Sequence, residues 1–132
     1  MIVLDASTAT DFLLERGAPG TWAAERLAEA EALHAPHLID SEVASALRQL
    51  VARGEATTAM AESALAVLED MPLLRYPAWP FLERIWQLRP TLTAFDATYV
   101  ALAEALELPL VTTDRRLGRA SGHRAEVTAF PG

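Results

Sequence analysis

The sequence predicts an α/β domain built on a mainly parallel sheet, and three features carry that expectation. Short apolar runs at residues 2–5 and 110–114 read as buried strands, each ending on an aspartate. Stretches rich in Ala, Leu and Glu lie between the strand candidates and read as helices. Proline and glycine interrupt the chain at nearly every change of pattern. At 132 residues the chain is near the commonest size for one domain, able to bury roughly 65–70% of its unfolded surface. One domain over residues 1–132 is expected.

The elements follow in order. Residues 2–5 form the first strand. Thr8-Ala-Thr-Asp11 resembles a capping box and predicts a helix running to about Gly17. Ala18-Pro-Gly20 breaks the chain, and from Thr21 the segment WAAERLAEAEAL is helical. An extended piece at Leu33–Ala35 meets Pro36. The next helix begins near Leu38 and ends at Gly54, a good residue to follow a helix C-terminus. Glu55 to Met71 gives another helix stopped by Pro72, and Leu73–Tyr76 a strand before Pro77. Trp79 to Leu88 and Thr93 to Leu108 are helices closed by Pro90 and Pro109. LVTTD at 110–114 repeats the opening pattern, followed by a short helix at Arg115–Arg119 and a last strand at Glu126–Phe130.

Composition narrows the chemistry. Hydrophobic residues make up 52% and charged ones 22%, which excludes a disordered chain, and no apolar run is long enough for a membrane span. The first apolar run has no basic flank and is broken by Asp5, so no secretory signal is expected and the expected location is cytoplasmic. With no cysteine there are no disulfides, thiolate metal sites or cysteine nucleophiles. The net charge is −7 and Lys is absent, so an anionic polymer would have to be held by a local Arg patch or by bound cations. Arg115, Arg116, Arg119 and Arg124 near His123 are the candidate patch; a solvated face is the plainer reading.

Four acids stand out. In an open α/β sheet, ligands bind beyond the carboxyl ends of the strands, where Asp5 and Asp114 fall. Glu42 stands three after Ile39 and four before Ala46, on or beside the apolar face of its helix, where a carboxylate is costly unless satisfied. Asp96 opens a helix that is apolar nearly all round. Each has a simpler explanation by itself. Asp5 could cap the following helix, Asp96 could form a capping box with Thr93, and Glu42 could pair with Arg48 or Arg75. Asp11 and Asp40 are read as caps. Taken together, however, close carboxylates repel by roughly 4 kcal/mol at 4 Å and an effective dielectric of 20. A converging set therefore calls for cations or raised pKa values. Hard oxygen donors select Mg²⁺ or Mn²⁺, and such ions can activate water against a phosphodiester.

The segments IVLDAS, PHLIDSEVASAL, TAFDATYVALAEAL and LVTTDRRL resemble the four signature blocks of PIN-domain ribonucleases, in the VapC toxin branch of bacterial toxin–antitoxin pairs. The resemblance covers essentially the whole chain in order. It implies a three-layer α/β/α sandwich, Mg²⁺- or Mn²⁺-dependent endoribonuclease activity, a homodimer, and a VapB-like antitoxin that occupies the active-site groove. It assigns Asp5, Glu42, Asp96 and Asp114 as catalytic and metal-holding acids, with Ser7 and Thr112 as supporting hydroxyls. Arg115 or Arg116 would hold the RNA backbone. Where some members carry a further acid after the last aspartate, this chain has Arg115-Arg116-Leu117-Gly118, which leaves one or two ions open.

Phosphatases with an Asp-x-Asp-x-Thr motif also begin on an apolar strand, but Ser7 stands at the second aspartate and the Lys they use is absent, as it is for receiver domains. A partner-binding module with little nuclease activity would display aromatics, and Trp22, Trp79, Phe81 and Trp86 are available; the seven-residue spacing of Trp79 and Trp86 instead predicts core.

Overall fold

The computed structural model describes residues 1–132. Five strands alternate with seven helices: β1 (Ile2–Leu4), α1 (Ala6–Leu13), α2 (Gly17–Glu29), β2 (Leu33–Pro36), α3 (Leu38–Ala52), α4 (Thr58–Asp70), β3 (Leu73–Tyr76), α5 (Leu82–Gln87), α6 (Ala94–Leu106), β4 (Leu110–Thr112), α7 (Arg115–Gly118) and β5 (Val127–Ala129). The sheet order is β3-β2-β1-β4-β5, and every pairing is parallel. Strand order reverses at β1, so the crevice of this sheet opens beyond the carboxyl ends of β1 and β4. Helices α1–α4 pack together on one face and α5–α6 on the other, giving three layers.

Helix α6 sets the centre. It lies against β1, β2 and β4, and residues Ala97 to Ala103 are all buried. Small side chains at Ala97, Ala101 and Ala103 let the helix approach the sheet, while Val100 and Leu102 fill the gap with Val3, Leu4 and Leu110. This core fixes the N-terminus of α6, and with it Asp96, relative to the strand ends. On the opposite layer Ile39, Val43 and Leu47 turn α3 into the same core.

Several boundaries differ from the sequence expectations. The cap of α1 lies three residues before the one expected: Asp5 rather than Thr8 is its cap and accepts from the Thr8 amide. Asp11 therefore lies near the helix end and caps nothing. Helix α2 begins at Gly17 and runs through Pro19, whose missing N–H costs nothing in a first turn. The intervening turn is tight, with Glu15 at φ 53°. Gly20 is required there: an added Cβ would stand 2.7 Å from the Asp11 carbonyl oxygen. Helix α4 starts at Thr58, with Thr57 as its cap, instead of at Glu55. The segment from Trp79 opens as a single 3₁₀ turn, Trp79–Phe81, before α5. Trp79 and Trp86 consequently do not share a core face; they are 73% and 66% exposed. Asp40 sits in the first turn of α3 and is gripped by the Arg75 guanidinium, Nε at 2.7 Å and Nη2 at 2.9 Å, so it serves as an ion-pair partner rather than a cap.

Candidate active site

Asp5 follows β1 directly and is 5% exposed. Its Oδ1 accepts from the Thr8 amide at 2.9 Å, the Thr8 hydroxyl at 2.7 Å and the Ser7 hydroxyl at 2.9 Å, and its Oδ2 accepts from the Thr112 hydroxyl. Burial nevertheless outweighs these bonds and raises the carboxyl pKa above its usual range. The Thr112 hydroxyl also accepts from the Asp114 amide at 2.9 Å. One side chain at the end of β4 thus ties the first and last acids together.

Asp114 caps α7, its Oδ1 accepting from the Arg116 amide at 2.9 Å. Asp96 occupies the third position of α6, behind the Thr93 cap, whose hydroxyl accepts from the Asp96 amide at 3.2 Å. The Arg116 Nη2 stands 3.0 Å from Asp96 Oδ2 and 3.0 Å from Asp114 Oδ2, bridging the two. Glu42 accepts at Oε1 from the Tyr99 hydroxyl at 2.7 Å and meets neither Arg48 nor Arg75. Burial raises its pKa, the Tyr99 bond partly offsets this, and the negative charges of Asp96 and then Asp5 add to the rise. Burial first, then the bond to Glu42, pushes the Tyr99 hydroxyl far above its ordinary value, so it stays a donor.

The four acids, drawn from β1, α3, α6 and the β4–α7 junction, therefore face one another at the carboxyl end of the sheet. Ser7 and Thr112 donate to Asp5. Arg115 is exposed and makes no ion pair, whereas Arg116, also exposed, lies over Asp96 and Asp114. Two participants escaped the sequence reading. Thr8 has the pattern of a cap, yet it stands three after Asp5, within reach of that N-cap carboxylate. Tyr99 stands three after Asp96, on the same helix face, and that spacing was the available signal.

No group of three or more acidic or histidine side chains is gathered tightly enough to hold an ion as it stands. Uncompensated carboxylates repel, and Arg116 supplies the positive charge between two of them. The donor set still suits a hard divalent cation. All four groups offer carboxylate oxygen, Mg²⁺ is commonly held by one or two carboxylates plus water, and the guanidinium nitrogen shows that a cation fits between Asp96 and Asp114.

A PIN domain family profile matches residues 2–122. The chain belongs to the PIN-domain family. Within it, the chain is 45% identical over 131 residues to Ribonuclease VapC9 of Mycobacterium tuberculosis, covering 99% of each protein, and 43% identical over 127 residues to Ribonuclease VapC12 of the same organism, covering 96% of this chain and 97% of that one. These matches set it in the VapC branch of the PIN-domain family. Among solved structures, M. tuberculosis VapC20, described as a sarcin-ricin loop cleaving toxin, superposes with a TM-score of 0.64 at 15% identity, covering 83% of this chain and 87% of that one; this likeness bears on the fold. PAE2754 from Pyrobaculum aerophilum gives 0.63 at 28% identity, covering 88% and 76%.

Proposed function

We propose that this PIN-domain protein is a metal-dependent endoribonuclease, the toxin of a toxin–antitoxin pair, acting in the cytoplasm as a homodimer and restrained by a VapB-like antitoxin. The observation that carries the reading is the convergence of Asp5, Glu42, Asp96 and Asp114 at the point where the strand order reverses. Near-full-length similarity to named VapC ribonucleases supports the same conclusion.

Asp5, Asp96 and Asp114 would hold Mg²⁺ or Mn²⁺, directly or through water. Such an ion, when bound, polarises the phosphodiester and acidifies a water. Asp5 is pre-set for the task, since its hydrogen bonds fix its orientation and Oδ2 has only Thr112 on it, leaving a lone pair free. Glu42 is held at one oxygen by Tyr99, while its other oxygen has no protein donor and is placed to orient an attacking water or accept its proton. Arg116 is the residue that must release Asp96 and Asp114, after which its guanidinium is free to meet a phosphate oxygen.

The test is cleavage-site mapping on RNA with Mg²⁺ or Mn²⁺, with and without chelator, comparing wild type with an identically purified Asp96→Asn protein. The expected result is discrete cuts lost with chelator and reduced at least about 100-fold by the substitution. Cleavage by a folded Asp96→Asn or Asp5→Asn protein at the wild-type rate, with the same metal dependence, would sink the assignment. The protein would then be a partner-binding PIN domain.

A further inference from the structure

The acidic cluster opens on one side into a groove of about 440 Å³ that runs away from it between α1 and α3. The near end carries Ser7, Glu42 and Asp114; the far end carries Gln49, Arg53 and Arg16. Glu42, Ala46, Gln49 and Arg53 are spaced at i, i+4, i+7 and i+11, so they form one face of α3. At 1.5 Å per residue, Arg53 lies about 16 Å along the helix from Glu42. Ala46, midway, keeps the channel open. Arg16 faces the same space from the turn between α1 and α2, which the close packing at Gly20 holds in place.

Neither arginine is committed to a close carboxylate. Arg26, Arg75, Arg84 and Arg116 each hold a carboxylate at 3.1 Å or less. Arg53 is exposed and makes neither an ion pair nor a side-chain hydrogen bond, and Arg16 meets only Asp11, at 3.9 Å. A loose, exposed pair of this kind is worth at most about 1 kcal/mol and yields readily to a better anion. Along the groove the acids come first, then Gln49, then Arg53, which is unpaired, and Arg16, which is loosely paired with Asp11 on the same wall. On a chain of net charge −7, this is the arrangement that would draw an anionic strand along one path.

We propose that the α1–α3 groove is the track for the RNA strand flanking the scissile bond, with Arg16 and Arg53 holding backbone phosphates a few nucleotides from the cut. Gln49, exposed and without a side-chain partner, offers the amide that reads ribose 2′-hydroxyls or base edges. The inference rests on the endoribonuclease reading and adds to it a direction for the substrate.

The test uses the full chain and a labelled single-stranded RNA oligonucleotide spanning the mapped wild-type cut. Arg16→Gln, Arg53→Gln, their double variant and the charge-keeping Arg16→Lys/Arg53→Lys protein are compared, with Arg48→Gln, an exposed arginine of α3 outside the groove lining, as the control. The double glutamine variant should raise KM about tenfold with kcat within about twofold, and lower the slope of log KM against log salt by about 1–2. The lysine pair should keep most of the affinity. Trimming the RNA on the groove side should raise KM for wild type but not further for the double variant. Active wild type with an unchanged KM and salt slope in the double variant overturns the groove assignment and leaves the nuclease reading standing. Unchanged KM with weakened binding of the co-expressed antitoxin overturns it in favour of a protein occupant. A wild type that neither cuts nor binds RNA overturns both readings.

Discussion

The Tyr99 hydroxyl donates to Glu42 Oε1 at 2.7 Å, joining helices from opposite layers of the fold across the strand ends. The bond sets one oxygen of Glu42 and leaves the other for chemistry. Tyr99 is 2% exposed, so Phe fills the same space while removing the donor. Tyr99→Phe should lower kcat about tenfold and stability by about 1–2 kcal/mol, because Glu42 loses a partner inside a half-buried, negatively charged site. Thermal melts and single-turnover cleavage separate the two effects.

Thr112 gives a second prediction. Its hydroxyl donates to Asp5 and accepts from the Asp114 amide, so Val, equal in shape, breaks two links at once. Asp5 is buried and already raised in pKa, and losing a donor raises it further. Thr112→Val should cost about 2–3 kcal/mol in chemical denaturation and reduce cleavage more than tenfold. Thr112→Ser, which keeps the hydroxyl, should retain most of both.

These links show how far the sequence was legible. The strand ends at Asp5 and Asp114 were readable because an apolar run stopping on a carboxylate is a one-dimensional signal. The long apolar helix behind Asp96 was readable from its composition. The start of α1 was not, since Asp5 and Thr8 are both good caps and only tertiary structure decides between them. Pro19 misled for a related reason: proline ends a helix from within but is tolerated in its first turn. Trp79 and Trp86 have core spacing, yet a 3₁₀ turn places Trp79 outside the helix register. Partners far apart in sequence, such as Tyr99 with Glu42 or Arg116 with Asp96, leave no local pattern.

Arg116 bridges two acids that an ion would need. Its side chain is 67% exposed, so the bridge contributes little to stability, and Arg116→Gln should change the melting temperature only slightly. The same substitution removes a competitor for Asp96 and Asp114. Mn²⁺ binding followed by calorimetry should tighten about threefold to tenfold, while KM for RNA rises. Weaker Mn²⁺ binding in the variant would show that Arg116 orders the acids instead of competing for them.

Trp79, Leu82 and Trp86 are 73%, 58% and 66% exposed around the start of α5, an apolar surface that the proposed homodimer would cover. Trp86→Glu should shift the protein to monomer in sedimentation at micromolar concentration. An unchanged sedimentation coefficient would move the dimer interface elsewhere.

Glu104 offers a pH prediction away from the acids. Its side chain is 2% exposed; it accepts from Arg84 Nε at 2.7 Å and Nη2 at 2.9 Å, and from the Arg124 amide at 2.9 Å. The Arg84 fork is the main cause that holds its pKa below the usual carboxylate value, with burial working against it. A folded pKa below the unfolded one gives stability that is complete above the unfolded value, near 4.5, and that fades as pH falls through the folded value. Glu104→Gln should therefore lose about 2–3 kcal/mol at pH 7, since Arg84 keeps its charge without a full partner. The gap between variant and wild type should narrow steadily in urea melts below about pH 4. A gap that stays constant from neutral pH into that acid range would mean that shape, rather than charge, accounts for the role of Glu104.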